Sequence, residues 1–133
     1  DAYELGYFEA RNRQIELELW SHIGKSWVNG PIVGAMGLFE QIPDAKKASD
    51  KNVNRYYERL DAEFASSQYV AGGRYSIGDI SLVTAIDFAT ALVDLKPAEN
   101  LENLWRWHAE VSARPAILLH PATVPGRGAP TTD

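Results

Sequence analysis

The segment from residue 77 to residue 92 is apolar on almost every side, and it limits the possible folds more than any other part of the chain. On a helix of about 3.6 residues per turn, its hydrophobic positions surround the axis instead of forming one stripe. Such a helix needs packing partners on several sides, so we predict that it lies at the centre of a helical bundle. Its apolar residues are Ile80, Leu82, Val83, Ala85, Ile86, Phe88, Ala89 and Leu92.

The start of this helix carries a local signal, the run YSIGDI at residues 75–80. Ser76 fits the N-cap position and Asp79 fits position N3, so each side chain can bond the backbone N–H of the other in a capping box. Tyr75 can pack on Ile80 as a hydrophobic staple, and Asp79 lies at the positive end of the helix dipole. A capping box occurs in many helical proteins, so this signal predicts a helix start and does not identify a family.

Residues 2–28 predict one long helix of about 40 Å, since a helix rises about 1.5 Å per residue. A stop signal follows at residues 29–31, with the sequence Asn-Gly-Pro. The spacing of three and four residues along the segment indicates a single buried stripe. The stripe consists of Leu5, Phe8, Asn12, Ile15, Leu19, His22 and Ser26.

The rest of the chain predicts further helices and no strand. Pro43 and Asp44 begin a helix that runs to about Ser66, and Leu101 begins one that ends before Pro115. A short turn follows through residue 119, and the Pro- and Gly-rich residues 121–133 indicate a flexible tail. Residues 28–43 fit either a packed loop or short helical turns. We therefore expect an all-α bundle of four main helices with a short fifth. The buried stripes are Val53, Tyr57, Leu60 and Phe64 in one helix, and Leu101, Leu104, Trp105, His108 and Val111 in the other.

Composition excludes several classes of function. The 133 residues suit one domain, and the absence of cysteine removes disulfides, thiolate catalysis and cysteine-ligated zinc. The net charge of -5 and the scattered basic residues disfavour nucleic acid and anionic membranes as partners. There is no apolar run of membrane-spanning length and no signal peptide. The chain begins at Asp1 without an initiator methionine, so we expect a fragment or a processed product.

Several runs of the sequence, in order and at matching spacing, resemble one family. The run at residues 69–80 resembles the start of the central helix in the C-terminal helical domain of cytosolic glutathione transferases, most closely the bacterial theta-like type. Gly78 departs from the family, which usually has Ala there, and Gly costs up to about 1 kcal/mol in a helix. Residues 28–43 also match poorly. The supporting runs are residues 13–17, 60–62, 85–89, 104–107 and 112–116, so the resemblance covers about residues 5–119.

The resemblance implies that two domains of the complete enzyme have different roles. Residues 1–120 correspond to the C-terminal domain, and the N-terminal thioredoxin-like domain, which binds glutathione and activates its thiol, is absent from this chain. We therefore expect no catalytic residue, metal or cofactor here, with glutathione as the co-substrate of the complete enzyme. The complete enzyme would be a cytoplasmic homodimer, formed through its first two helices, that acts in detoxification by attack of the glutathione thiolate on a hydrophobic small-molecule electrophile.

By the same resemblance, the first half of the long helix forms the wall of the electrophile pocket. Aromatic side chains there can stack on an apolar electrophile, and Arg11 can meet a carboxylate or a developing negative charge. The alternative is that Phe8 and Ile15 are core residues and that Arg11 is solvated. Asn12 is the most informative position, because a polar side chain on an apolar stripe needs a partner when buried. The candidate pocket residues are Tyr7, Phe8, Arg11, Asn12 and Ile15.

Other polar and aromatic residues favour structural roles. Asp87, in the apolar central helix, fits a structural carboxylate bonded to backbone or to an arginine better than an acid or base. The three histidines, His22, His108 and His120, lack metal-ligand spacing. Trp20 and Trp27 share a helix face, which either packs inside the bundle or meets another domain or subunit.

A second function class remains open from the sequence. Helical domains of this family also serve as docking units in translation and multi-synthetase assemblies, without catalysis. The alternative to an enzyme part is therefore a non-catalytic protein-interaction module.

Overall fold

The structure, a computed structural model, describes residues 1–114. Its helices are connected by turns and loops. Within this described range, the β-type pairing consists of two isolated bridges in the turn at residues 69–74. The all-α prediction is confirmed. The predicted short helix after Pro115 and the predicted tail at residues 121–133 lie outside the described residues. The helices are α1 (Ala2–Ile15), a π-helical segment (Glu16–Trp20), α2 (Ser21–Val28), α3 (Pro31–Met36), α4 (Pro43–Phe64), α5 (Ile77–Leu92) and α6 (Glu102–Ser112).

The long first helix is continuous but not uniform. A π-helical segment separates α1 from α2, which a hydrophobic pattern alone does not predict. The segment rotates the buried face, so that Ile23 joins the core at 0% exposure while His22 is only half-buried. Leu5, which the pattern placed on the buried stripe, is instead 67% exposed, because the first turns of α1 extend beyond the described core.

The ambiguous segment at residues 28–43 contains both of the structures considered. Pro31 occupies the first turn of α3, and Gly37 ends this helix in a left-handed conformation with φ 68°. An irregular stretch then leads to α4. Most of the apolar side chains in this part of the chain are exposed, whereas Val33 is buried at 5% exposure.

The buried stripes predicted for α4 and α6 differ in how well they match the structure. In α4, the predicted stripe is buried throughout, and Tyr57 donates a hydrogen bond to the Leu95 carbonyl at 2.8 Å. Burial raises the pKa of Tyr57, which keeps its hydroxyl protonated as this donor. In α6, the fully buried aromatic residue is Trp107 instead of Trp105, and its ring stacks on Phe64 at 5.0 Å.

Helix α5 lies at the centre of the bundle, as predicted. It packs against α1, α2 and α6, and its middle is almost fully buried. Ile77 and Ile80, in its first turn, are the exceptions at 55% and 39% exposure. Within residues 1–114, no helix has the length and hydropathy needed to cross a membrane.

The capping box at the start of α5 is present and connects three parts of the fold. Asp79 is fully buried, and its carboxylate accepts the backbone N–H of Ser76 at 2.9 Å. The other carboxylate oxygen accepts the Val70 N–H at 3.0 Å and the Trp107 indole N–H at 2.8 Å. The sequence predicted only the local bond to Ser76. The bonds to Val70 and Trp107 attach the preceding turn and α6 to the start of α5.

The predicted staple between Tyr75 and Ile80 contributes little burial, because Ile80 remains 39% exposed. Tyr75 packs instead on the ring of Tyr69, at 6.0 Å between centroids, and beneath the Arg114 guanidinium at 3.7 Å. Burial raises the pKa of the Tyr75 hydroxyl. The aromatic residue before the cap therefore stabilises the turn and the end of α6.

Gly78, in the first turn of α5, has a packing reason in this chain. A Cβ at this position would lie 3.0 Å from Cγ1 of Val70, which is closer than ordinary van der Waals contact. Val70 is buried at 4% exposure, directly against the start of α5. The close approach of Val70 compensates for the low helix propensity of glycine.

We expect Asp79→Ala to lower the free energy of unfolding by about 3 kcal/mol or more, because three buried N–H donors lose their acceptor. Ser76→Ala should cost about 1 kcal/mol, the usual effect of a lost N-cap. Urea denaturation of both variants, followed by circular dichroism, measures the two costs. Equal losses in the two variants would show that Asp79 acts only as a local cap.

Candidate functional site

The five predicted pocket residues all lie on α1 but face different surroundings. Tyr7 and Arg11 line a cavity of about 350 Å³ between α1, the end of α4 and the following turn. Ile15 belongs to the core at 1% exposure, and Asn12 is buried at 9%. Phe8 is half-buried, with its ring 6.5 Å from that of Tyr7. The structure thus divides the set into two residues at a cavity, two in the interior and Phe8 between them.

Arg11 is committed to contacts within the protein. Its Nε donates to the Val70 carbonyl at 2.9 Å, and one terminal nitrogen forms an ion pair with Glu63 at 2.7 Å. The other terminal nitrogen donates to Gln14. The side chain is only 17% exposed. Arg11 is therefore a bridge from α1 to α4 and to the turn before α5, which neither of its two sequence interpretations anticipated.

Asn12 confirms that a buried polar side chain on the stripe has partners. Its carbonyl oxygen accepts the Ser81 hydroxyl of α5 at 2.5 Å, and its amide donates to Glu16 at 3.4 Å. The Asn12–Ser81 bond joins α1, which carries the predicted pocket residues, to α5. Its position fixes the rotation of α1 against α5 and hence the direction in which Tyr7 and Phe8 point.

An exposed apolar surface lies at the end of the bundle where α1 and α5 begin. An ion pair between Glu4 of α1 and Arg74, just before α5, measures 2.6 Å and holds these two helix starts together. The hydrogen bond from Arg74 lowers the pKa of the Glu4 carboxyl. The sequence pattern missed this surface, because it assigned Leu5 and Ile80 to the interior. The exposed apolar residues are Tyr3 at 89%, Leu5 at 67%, Tyr7 at 47%, Ile77 at 55% and Ile80 at 39%.

The remaining polar and aromatic candidates have contacts within the bundle. Asp87 bonds His108 at 2.7 Å and thereby joins α5 to α6. Both tryptophans of the long helix pack inside the bundle on Phe88, with centroid distances of 5.7 Å for Trp20 and 5.5 Å for Trp27. Within residues 1–114, no group of histidine and acidic side chains could hold a metal ion.

Comparison with protein families gives a match over most of the helical core. The model of the family "Glutathione S-transferase, C-terminal domain" matches residues 28–115. The chain belongs to this family. The resemblance proposed from residues 69–80 and their companions is confirmed, and so is the helical fold.

Curated relatives carry the same family name at low identity. Glutathione S-transferase GstB of Escherichia coli K12 is 26% identical over 122 residues, which cover 84% of this chain and 55% of the relative. Glutathione S-transferase 2 of Saccharomyces cerevisiae is 27% identical over 116 residues, covering 86% of this chain and 49% of the relative. The chain thus spans about half the length of the curated relatives it matches.

Two solved structures share the fold. A glutathione S-transferase domain-containing protein from Marinobacter aquaeolei VT8 superposes with a TM-score of 0.73 at 23% identity, over 88% of the present chain and 57% of the matched chain. The apo form of the theta class glutathione S-transferase from Xanthomonas axonopodis pv. citri gives 0.70 at 20% identity, over 90% of the present chain and 60% of the matched chain. At these identities the likeness shows the fold alone, so the theta-like class remains a prediction.

The position of Arg11 gives a test of its role. We expect Arg11→Met to lower the free energy of unfolding by about 1–2 kcal/mol, because it removes charge-assisted bonds to Glu63 and to the Val70 carbonyl. Arg13→Met is the matched control on the same helix. Arg13 is 69% exposed and pairs with Glu9 within one turn, so its loss should cost less than about 0.5 kcal/mol. Equal urea midpoints for the two variants would contradict a structural role for Arg11.

Proposed function

We propose that this chain is the hydrophobic-substrate side of a glutathione transferase and that it is inactive when isolated. The complete enzyme would conjugate the glutathione thiolate to apolar electrophiles, with a detoxification role in the cytoplasm. The observation that carries the proposal is the family match over residues 28–115, together with relatives of which the matched region covers only about half. The thiol-activating group and the glutathione site would belong to an N-terminal thioredoxin-like domain, which family members have.

The exposed apolar surface at the start of α1 and α5 supports this proposal. Several large exposed apolar side chains at one end of a bundle are typical of interaction sites. We propose that the thioredoxin-like domain covers Tyr3, Leu5 and Ile77, which leaves Tyr7 and Phe8 at the edge of the covered area. An apolar electrophile would then bind between the two domains, against the aromatic rings.

If the glutathione site belongs to the thioredoxin-like domain, the chain alone and its fusion to such a domain should behave in opposite ways towards glutathione. The 133-residue chain should not be retained on glutathione-agarose. A fusion of this chain to the thioredoxin-like half of Escherichia coli GstB should be retained and should conjugate chlorodinitrobenzene. Retention of the chain alone would overturn the proposal. A fusion that binds glutathione but conjugates no electrophile would favour a non-catalytic interaction module.

Within an active fusion, Tyr7→Ala should raise KM for the electrophile by about tenfold, which corresponds to the loss of one aromatic contact. The KM for glutathione should stay the same, because Tyr7 belongs to the other side of the site. Phe39→Ala serves as the control, since it removes a 58% exposed aromatic ring from the connection between α3 and α4, outside the proposed site. An unchanged electrophile KM in Tyr7→Ala would remove Tyr7 from the pocket wall.

We also propose that the chain forms a homodimer through the long helix and α4. The π-helical segment presents Leu17 at 74% exposure, beside a cavity of about 390 Å³ that Arg55, Tyr56 and Arg59 help to line. Arg59 forms an ion pair with Glu18, and the hydrogen bond lowers the Glu18 pKa. An isolated exposed leucine between charged neighbours is suited to a self-complementary contact across a two-fold axis.

This arrangement predicts that Leu17→Glu converts the dimer to a monomer, because it places a charge at the centre of the contact. Light scattering of the purified chain measures the mass directly. Leu38→Glu is the matched control, since Leu38 is 69% exposed in the connection between α3 and α4. A monomeric wild-type chain, or a dimer that survives Leu17→Glu, would contradict the proposed interface.

A further inference from the structure

A second cavity lies at the opposite end of the bundle from the proposed electrophile site. It has a volume of about 350 Å³ and is formed where α2 and α5 end and where α3 begins. Arg11 and Trp27 are sixteen residues apart on the long helix, so the two ends are separated by about 24 Å. The volume lies within the usual range of small-molecule sites. The described residues that line it are Ser26, Trp27, Gly30, Pro31, Ile32, Lys46, Thr90, Ala91, Leu92, Val93 and Asp94.

One wall of this cavity comes from the segment that leads into α3. Gly30, Pro31 and Ile32 lead into α3, and Ile32 is 42% exposed at the cavity. The backbone packs closely at Gly30, since a Cβ there would lie 3.0 Å from the Ser26 carbonyl oxygen. Trp27 adds an aromatic surface held by its edge contact with Phe88. These residues therefore give the cavity an apolar wall that is held in place by packing.

The basic group of the cavity is already neutralised. Lys46 is the one cation among its described lining residues, and its Nζ lies 2.7 Å from the Asp50 carboxylate. The other oxygen of Asp50 accepts the Ser26 hydroxyl at 2.5 Å. Lys46, Asp50 and Ser26 thus form a closed network, which leaves no free positive charge for an anionic ligand.

Asp94 provides a free negative charge at the rim. Among residues 1–114, its carboxylate has no hydrogen-bond or ion-pair partner. Asp94 is also the one non-glycine residue in that range with a positive φ, at 58°, immediately after the C-cap of α5. Glycine or asparagine is the usual residue at this position, and a negative charge is unfavourable at the negative end of a helix dipole. The carboxylate therefore lies where it opposes the stability of α5.

The end of α5 adds further acceptors beside Asp94. Within the described part of the chain, the backbone carbonyls of Thr90, Ala91 and Leu92 accept no hydrogen bond. These carbonyls carry the partial negative charge of the helix end. The lining thus combines an unpaired carboxylate, free carbonyls and the ring of Trp27, which are the groups that bind a cation with an apolar body.

We propose that this cavity binds a small organic cation, of the class of protonated aralkyl amines. The ammonium group lies between Asp94 and the carbonyls at the end of α5. The apolar body packs against Trp27 and Ile32. This site is independent of glutathione and of the electrophile pocket, and it makes the chain a ligand-binding domain in its own right.

Three probes with the same phenylethyl body and different charges test the proposal on the 133-residue chain. Titrations with 2-phenylethylamine, 2-phenylethanol and 3-phenylpropanoate are followed by the tryptophan indole signals in proton–nitrogen NMR spectra, with Trp27 assigned from Trp27→Phe. We expect saturable binding of the amine with a shift at Trp27. The alcohol should bind about tenfold more weakly, the factor of one charge-assisted bond, and the carboxylate more weakly still.

Two variants of Asp94 keep the test independent of folding. Asp94→Asn removes the charge and retains a residue that tolerates the left-handed conformation. Asp94→Gly removes the side chain and should raise the thermal midpoint, because it relieves the unfavourable charge and backbone conformation. Both should weaken amine binding by about tenfold or more. Glu58→Gln, on the exposed side of α4 outside the cavity, is the matched control and should bind the amine like the wild type.

Four results would overturn the proposal. These are the absence of saturable amine binding, equal affinity for the carboxylate probe, and unchanged amine affinity in the Asp94 variants. The fourth is a shift at Trp105 in place of Trp27. Trp105 lines an open surface cavity with Glu99, Glu102 and Lys96, so it is a competing combination of an indole ring and acids.

Discussion

The buried carboxylate of Asp79 joins three parts of this fold: the first turn of α5, the turn before it, and α6. One oxygen closes the first turn of α5, and the other binds both the turn before α5 and the indole of Trp107 in α6. A fully buried charge is unfavourable unless hydrogen bonds replace its lost hydration. Here the N–H donors at the positive end of a helix provide that replacement, and the carboxylate in turn sets where α6 packs. Because α5 is the central helix, the other elements depend on this start point.

The long first helix shows how packing limits what a pocket wall can do. Arg11 and Asn12 are polar residues on the pocket wall predicted from the resemblance. Arg11 bonds to α4 and to the turn before α5, and Asn12 bonds to α5. Their bonds hold α1 in one orientation, so Tyr7 and Phe8 are the residues of the set available to shape a binding surface. The proposed electrophile site therefore depends on aromatic contact, with the polar residues as its support.

The two ends of α5 have opposite electrostatic arrangements. At its start, the Asp79 carboxylate accepts hydrogen bonds from N–H donors of the protein and stabilises the fold. At its end, the acid Asp94 lacks such a partner within the described chain and lies beside free carbonyls. A group that is unfavourable for the helix but borders a cavity is typical of a binding position, because a ligand can supply the missing partner. The proposed cation site follows from this contrast.

The sequence by itself determined the helical class, the central position of α5, its capping box and the family. Apolar periodicity and capping are local properties that depend on residues within a few positions of each other. Tertiary structure decided the bonds from Asp79 to Val70 and Trp107, the bridge made by Arg11 and the capping of α6 by Asp61, which accepts the Leu104 N–H at 3.0 Å. It also decided that Trp107 instead of Trp105 enters the core, that Leu5 and Ile80 remain exposed, and that Gly78 accommodates Val70. These outcomes required the third dimension, because each depends on which distant side chain reaches the same point in space.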